Sequence, residues 1–183
     1  MKKPIKIILI VIPILIAAFI LLRWQTKKHS PFEKVVWKEN QVEVAVSYCK
    51  PSKKGRIIFG DAAQNALQPY GKYWRIGANE ATVFETNTTL QFNGGKLQPG
   101  KYQLYAYPQI DTWQLIFNTD YDRWGATEPD KSKDVLILSV NVQKSEELIE
   151  QLNIQLLKDT ASPYLEIMWD DVYLMIPFSP ELQ

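Results

Sequence analysis

Along most of the chain apolar residues recur at every second position, the spacing that lets a strand bury one face. Val42, Val44, Val46 and Tyr48 form the first run; Tyr102, Leu104 and Ala106, then Trp113, Leu115 and Phe117, then Leu136, Leu138, Val140 and Val142 repeat it. Leu152, Ile154 and Leu156, then Leu165, Ile167 and Trp169, then Val172, Leu174 and Ile176 complete the series. Turn-forming residues separate the runs: Glu39-Asn40, Gly94-Gly95, Pro99-Gly100, the segment 159–163 and Asp170-Asp171. Short strands with close turns predict an all-β domain, an antiparallel β-sandwich of about nine or ten strands. One short helix is predicted over Asp61 to Gln68, where Asp61 can cap an Ala-rich turn before Pro69 ends it.

The first residues follow a different pattern. After Lys2, Lys3 and Lys6, the run from Ile7 to Leu22 carries no charge. A bilayer core needs about 20 apolar residues, so residues 1–22 are predicted as a single transmembrane anchor that meets the lipid bilayer through residues 5–22. Ile5 then counts toward the span, Lys6 snorkels and Trp24 sits at the interface. A cleaved signal sequence is the alternative, but the run ends in Leu-Leu-Arg-Trp with no small-x-small site. A short tail normally stays inside while a large domain is carried across, which places the C-terminal domain outside the cytoplasm, as a periplasmic domain on the inner membrane. Residues 23–32 form a basic stalk with Arg23, Lys27, Lys28 and His29, and residues 33–183 have the length of one domain.

Composition then narrows the chemistry. With 21 basic against 20 acidic residues, no overall field draws in nucleic acid. The single cysteine, Cys49, rules out an internal disulfide and reads as structural, so the domain depends on core packing, to which six Trp contribute. The only histidine, His29, lies in the stalk, which excludes Ser-His-Asp and Cys-His catalysis in the domain and leaves zinc without its usual ligands. No glycine spacing matches a nucleotide cradle, and neither metal nor cofactor is expected.

Three constellations remain. The densest is Tyr70 to Thr82, where Trp74 and Ile76 fall on one face of a strand-like segment and Tyr73 and Arg75 on the other, before Gly77 breaks the pattern. Asn79, Glu80 and Thr82 follow. On a structural reading Arg75 pairs with Glu80, or another carboxylate, in a buried cluster that fixes the bend. On a binding reading Arg75 and Asn79 grasp a carboxylate or sugar hydroxyls, with Tyr73 or Trp124 as an apolar wall. An enzymatic reading needs Glu80 and a second carboxylate such as Asp61 or Asp111 as acid and base. The second constellation is Lys50, Lys53, Lys54 and Arg56 around a Pro-Ser and Gly turn, either an anion clamp or a solvated loop. The third is the loop 118–132, with Trp124 among Asp120, Asp122, Glu128 and Asp130 but without regular calcium-loop spacing. Its Trp124 is placed to stack on a sugar or cover a pocket.

The blocks Tyr48 to Gly60, Tyr70 to Thr82, Gly95 to Tyr102 and Trp113 to Asn118, closed by Trp169 and Pro177-Phe178, resemble in the same order the bacterial family known as domain of unknown function 2911. The resemblance spans about Val42 to Phe178, with Cys49 standing where that family is expected to carry arginine. It implies an exported or envelope-associated β-rich domain of the Bacteroidetes type with no established activity. Together these readings predict a membrane-anchored module of the cell envelope that binds an unknown small ligand, a glycan or a protein. The alternatives are a carboxylate-based hydrolase of an envelope glycan or peptide, and a structural partner of another envelope protein. No catalytic residue is assigned, and the balance falls against an enzyme. The candidate binding residues are Arg56, Tyr73, Arg75, Asn79, Glu80, Thr82 and Trp124.

Overall fold

The computed structural model describes residues 3–181; Met1, Lys2 and the last two residues lie outside it, as do the side chains of residues 3–8, 10, 22 and 24. The expected roles of Ile5, Lys6 and Trp24 at a bilayer therefore fall outside the described residues. The N-terminal helix α1 runs from Lys3 to His29, so the basic segment is helical almost to its end. Lys27, Lys28 and His29 in the last turn complement the negative end of the helix dipole. Earlier along α1, Leu9, Val11, Ile12, Ile14, Leu15, Ile16, Phe19, Ile20 and Leu21 are all exposed. At about 100° per residue these positions encircle the helix. Among the described residues, no helix is long and apolar enough to cross a membrane.

Twelve strands follow among the described residues: β1 (Phe32–Glu39), β2 (Val42–Cys49), β3 (Phe59–Gly60), β4 (Gln68–Pro69), β5 (Thr82–Thr86), β6 (Leu90–Phe92), β7 (Gly95–Leu97), β8 (Gly100–Tyr107), β9 (Thr112–Asn118), β10 (Asp134–Asn141), β11 (Gln143–Lys158) and β12 (Pro163–Pro180). One antiparallel sheet has the order β1-β2-β5-β8-β9-β10, a second the order β11-β12-β6-β7, and β3 pairs β4 in a short parallel bridge. Alternation works as the sequence predicts: Val42, Val44, Val46 and Tyr48 on β2 point inward, as do Leu152, Ile154 and Leu156 on β11.

The inward faces of both sheets share one core. Aromatic pairs tie the layers across it, including Trp37–Phe178 at 5.7 Å, Phe92–Phe117 at 5.4 Å and Trp74–Trp169 at 5.9 Å between ring centroids. Offset and edge-on pairs of this kind add about 0.5–1.5 kcal/mol each beyond the area they bury. At the margins β1 lies against β11 and β10 against β7, so the two layers approach at both sides.

Three expectations are corrected. The strand count exceeds nine or ten because short strands such as β3, β4, β6 and β7 carry too few residues for alternation to stand out, and it does so even though Asp170-Asp171 is no turn. There β12 runs straight through: Asp170 takes φ +58°, and β11 opposite it shifts register on both sides of Ile149. Asp is among the few residues that adopt this left-handed conformation readily, so one kinked strand replaces two. Asp61 to Gln68 holds only a single 3₁₀ turn, Ala62–Gln64, ended by left-handed Asn65. None of its residues is buried, so nothing repays the cost of nucleating a longer helix. Finally, Tyr70 to Thr82 is not one strand, since before β5 begins at Thr82 it makes only isolated bridges, Trp74 to Ala106 and Glu80 to Trp124.

Candidate functional site

Trp74 is pinned to β8 by two backbone hydrogen bonds with Ala106, each 2.8 Å. Beyond it three residues take positive φ: Ile76 at +52°, Gly77 at +150° and Asn79 at +60°. A β-branched residue pays roughly 1–3 kcal/mol for a sparsely populated conformation, so Ile76 must be held there. Its side chain is fully buried, and its carbonyl accepts a 2.6 Å hydrogen bond from Thr82 Oγ1. Gly77 lies against the end of β2, where a Cβ would come 3.0 Å from the Cys49 carbonyl oxygen. Thr82, read as a binding candidate, is thus a fully buried brace of the bend.

The loop after β9 folds back onto this bend. Gly125 N donates to the Asn79 carbonyl at 3.1 Å, Ala81 N to the Arg123 carbonyl at 3.3 Å, and Tyr73 Oη to the Gly125 carbonyl at 3.1 Å. Gly125 leaves room for Arg75, whose Cδ would lie 2.8 Å from a Cβ at that position. Half-buried Arg75 donates through Nη1 to the Asn79 carbonyl at 3.0 Å. Among the described residues it forms no ion pair, which corrects the expectation of an Arg75–Glu80 pair.

Glu80 looks the other way. Its carboxylate accepts from Lys27 at 3.0 Å and Arg23 at 3.5 Å, both on α1, and from Cys49 Sγ at 3.5 Å. Burial alone would raise the Glu80 carboxyl, but Lys27, the backbone and Cys49 together bring it below its ordinary value. The Cys49 thiol is pushed up, by burial first and then by Glu80, so it is protonated and unreactive. Trp124 is partly exposed beneath the Arg23 guanidinium, 4.7 Å from the ring centroid. The bend therefore separates the sequence candidates, with Glu80 and Trp124 gripping the end of α1 and Tyr73, Arg75 and Asn79 facing a cleft.

That cleft, of about 490 Å³, brings Arg75 together with Lys54 and Arg56 of the basic turn. No Asp or Glu lines it. Lys50 and Lys53 of the same turn are engaged elsewhere, with Glu33 at 2.6 Å and with Asp170. Lys54 and Arg56 form no ion pair among the described residues; Arg56 is held by its own turn, donating to the Ser52 carbonyl at 2.6 Å and the Lys53 carbonyl at 2.9 Å. Burial lowers the Arg75 pKa and no carboxylate offsets it. Two further donors at the cleft are unsatisfied: Nε1 of fully buried Trp74, and Nδ2 of Asn79, whose amide stands beside the Cys49 thiol. Unpaired buried donors cost about 1–3 kcal/mol each.

Sequence reasoning named the two halves of this cleft but not their meeting, nor the part played by Trp74 and the stalk residues His29 and Ser30, which also line it. The only local signal was that the basic turn follows directly on Cys49, the residue against which Gly77 packs. The proposed acid–base partners Asp61 and Asp111 are not among the lining residues. In the loop, Asp120 pairs with Arg123 and Lys133 at 3.7 Å each, Glu128 pairs with Lys131 at 3.1 Å, and Asp130 caps a 3₁₀ turn.

Comparison with known proteins finds one family profile, described as "Protein of unknown function (DUF2911)", matching residues 30–178. No curated protein and no solved structure matches the chain.

Because Arg75 has no carboxylate partner, Arg75→Ala should cost only about 1 kcal/mol, the worth of one hydrogen bond, rather than the roughly 3–5 kcal/mol of a broken buried pair. Thermal or urea denaturation measures this, and a loss in the higher range would mean an acidic partner does hold Arg75. The grip on α1 should fail in acid. A lowered carboxyl pKa gives stability that is present above the ordinary value of 4.5 and lost as pH falls through the folded value. Spin labels at Gln25 and Tyr121 should report a narrow distance distribution at neutral pH and a broad one well below that value, with Glu80→Gln broad at both.

Proposed function

The chain belongs to the DUF2911 family of proteins of unknown function, and from that premise we propose that it is a β-sandwich module of the cell envelope, held by its N-terminal helix and binding a small anionic ligand in the Arg75 cleft. One observation carries the binding reading: Lys54, Arg56 and Arg75 line a concavity that contains no carboxylate. Other cations of the domain do find carboxylates, as in Lys38–Glu43 at 2.8 Å and Lys101–Glu85 at 3.3 Å. Cations held unpaired at a cleft spend stability on something other than the fold. Tyr73 supplies an aromatic wall, its hydroxyl held between Gln103 and the Gly125 carbonyl.

The anchoring reading rests on α1. A helix apolar all round requires an apolar environment, and the exposed residues from Leu9 to Leu21 find none in the domain. A bilayer supplies it, with the domain on the extracytoplasmic, periplasmic side and α1 as a single pass of the inner membrane. A carboxylate-based hydrolase is less favoured, since Glu80 is engaged with α1 and no second carboxylate joins it at the cleft.

Two measurements test this proposal. Full-length protein should stay with membranes after high-salt washing, because burial rather than charge holds it; release by salt would remove the anchor. Multivalent anions at fixed ionic strength should raise the melting temperature, with stabilisation approaching about 2.7 kcal/mol at a hundred times Kd. Neutral sugars should have no effect, and Arg75→Gln should abolish the anion response. Equal responses in wild type and variant would place binding elsewhere.

A further inference from the structure

The cleft adjoins the end of α1, since His29 and Ser30 line it beside Lys54, Arg56 and Arg75. His29 lies eight residues past Leu21, the last described residue of the exposed apolar run, which is about 12 Å of helix. The domain is also fastened to the stalk there, through Lys27 and Arg23 on Glu80 and Arg23 over Trp124. If α1 is embedded as proposed above, the cleft is held close to the headgroup layer, which adds only about 5–8 Å to each side of the hydrocarbon core.

The charge of the cleft narrows the anion. The Glu150 carboxylate accepts from the Lys54 backbone at 2.9 Å, but none of the three cations has an ion pair among the described residues. Together they exceed what a single carboxylate can neutralise, whereas a phosphate monoester carries about −1.5 to −2 and three strong acceptor oxygens. Those oxygens also meet the donors left open there, the remaining N–H groups of Arg75 and Arg56. The acceptors at the cleft are few and uncharged, the hydroxyls of Ser30 and Ser52 and the amide of Gln68 among them.

We infer that the cleft takes a phosphate monoester group, and that its place against the stalk presents it to such groups on phospholipids of the adjoining leaflet; this rests on the anion-binding reading above. Arg75 and Arg56 grip the phosphoryl oxygens, and Lys54 adds charge. The stalk sets the height of the cleft above the bilayer, so a lipid headgroup reaches it without leaving the membrane.

The test uses full-length protein in two settings. In neutral detergent, inorganic phosphate and acetate are titrated at equal ionic strength with melting temperature as the readout. Phosphate should bind at least about tenfold more tightly than acetate, a difference of about 1.4 kcal/mol. In nanodiscs, phosphatidic acid added to phosphatidylcholine should raise the melting temperature and compete with free phosphate. Arg56→Gln, an exposed substitution that leaves the core intact, should remove the preference for phosphate while costing the unliganded protein no more than the two bonds Arg56 makes to its own turn. Equal binding of acetate and phosphate would overturn the phosphate inference while leaving the anion-binding reading intact, and no response to either would overturn both. A phosphate response without a phosphatidic acid response would support phosphoryl recognition and overturn the membrane source.

Discussion

The hydrogen bond from Thr82 Oγ1 to the Ile76 carbonyl, 2.6 Å long and fully buried, decides where the charges of this protein go. It holds a β-branched residue in the left-handed region, and only with Ile76 there does the chain turn away from β8 just after Arg75. Gly77 makes the same turn possible from the other side, because any side chain would meet the backbone at the end of β2. Remove either constraint and the segment tends back toward an extended strand, in which Arg75 and Glu80 would no longer be held on separate sides. As built, the bend sends the cation to a cleft and the carboxylate to α1.

That division explains the electrostatics on both sides. Glu80 has three polar partners and a lowered pKa; Arg75 has one carbonyl and a pKa lowered by burial, with only Tyr73 acting against it. Surface ion pairs contribute little to stability, so the many pairs elsewhere do not hold the fold together. The shared aromatic and aliphatic core does that, and its strength lets the bend and the cleft carry strain and unpaired donors.

The antiparallel sheets were legible because a strand with one buried face must alternate, as β10 does along its length; β2, β8 and β9 are buried at consecutive positions in part, yet every second residue of each is an apolar core residue. Short strands such as β6 carry too few residues for a period to register, and the kink at Asp170 imitates a turn because Asp favours both. The site was half legible. Charged and amide residues crowding Tyr70 to Thr82 marked the place, but the direction of each side chain depends on three positive φ values, and at Ile76 the residue type argues against one. The joining of the basic turn to the bend is a long-range packing result with no local pattern, and so is the contact of α1 with Glu80.

Nε1 of Trp74 offers the most direct probe, since it is a buried donor without a partner in a residue that lines the cleft. Its proton–nitrogen NMR signal, assigned by replacing Trp74 with Phe, should move downfield and gain protection from solvent exchange as phosphate is added to wild-type protein, and should stay in place in Arg75→Gln. A signal unmoved by phosphate in the wild type, with the remaining indole signals equally still, would contradict the account of an anion cleft built by the Ile76 bend.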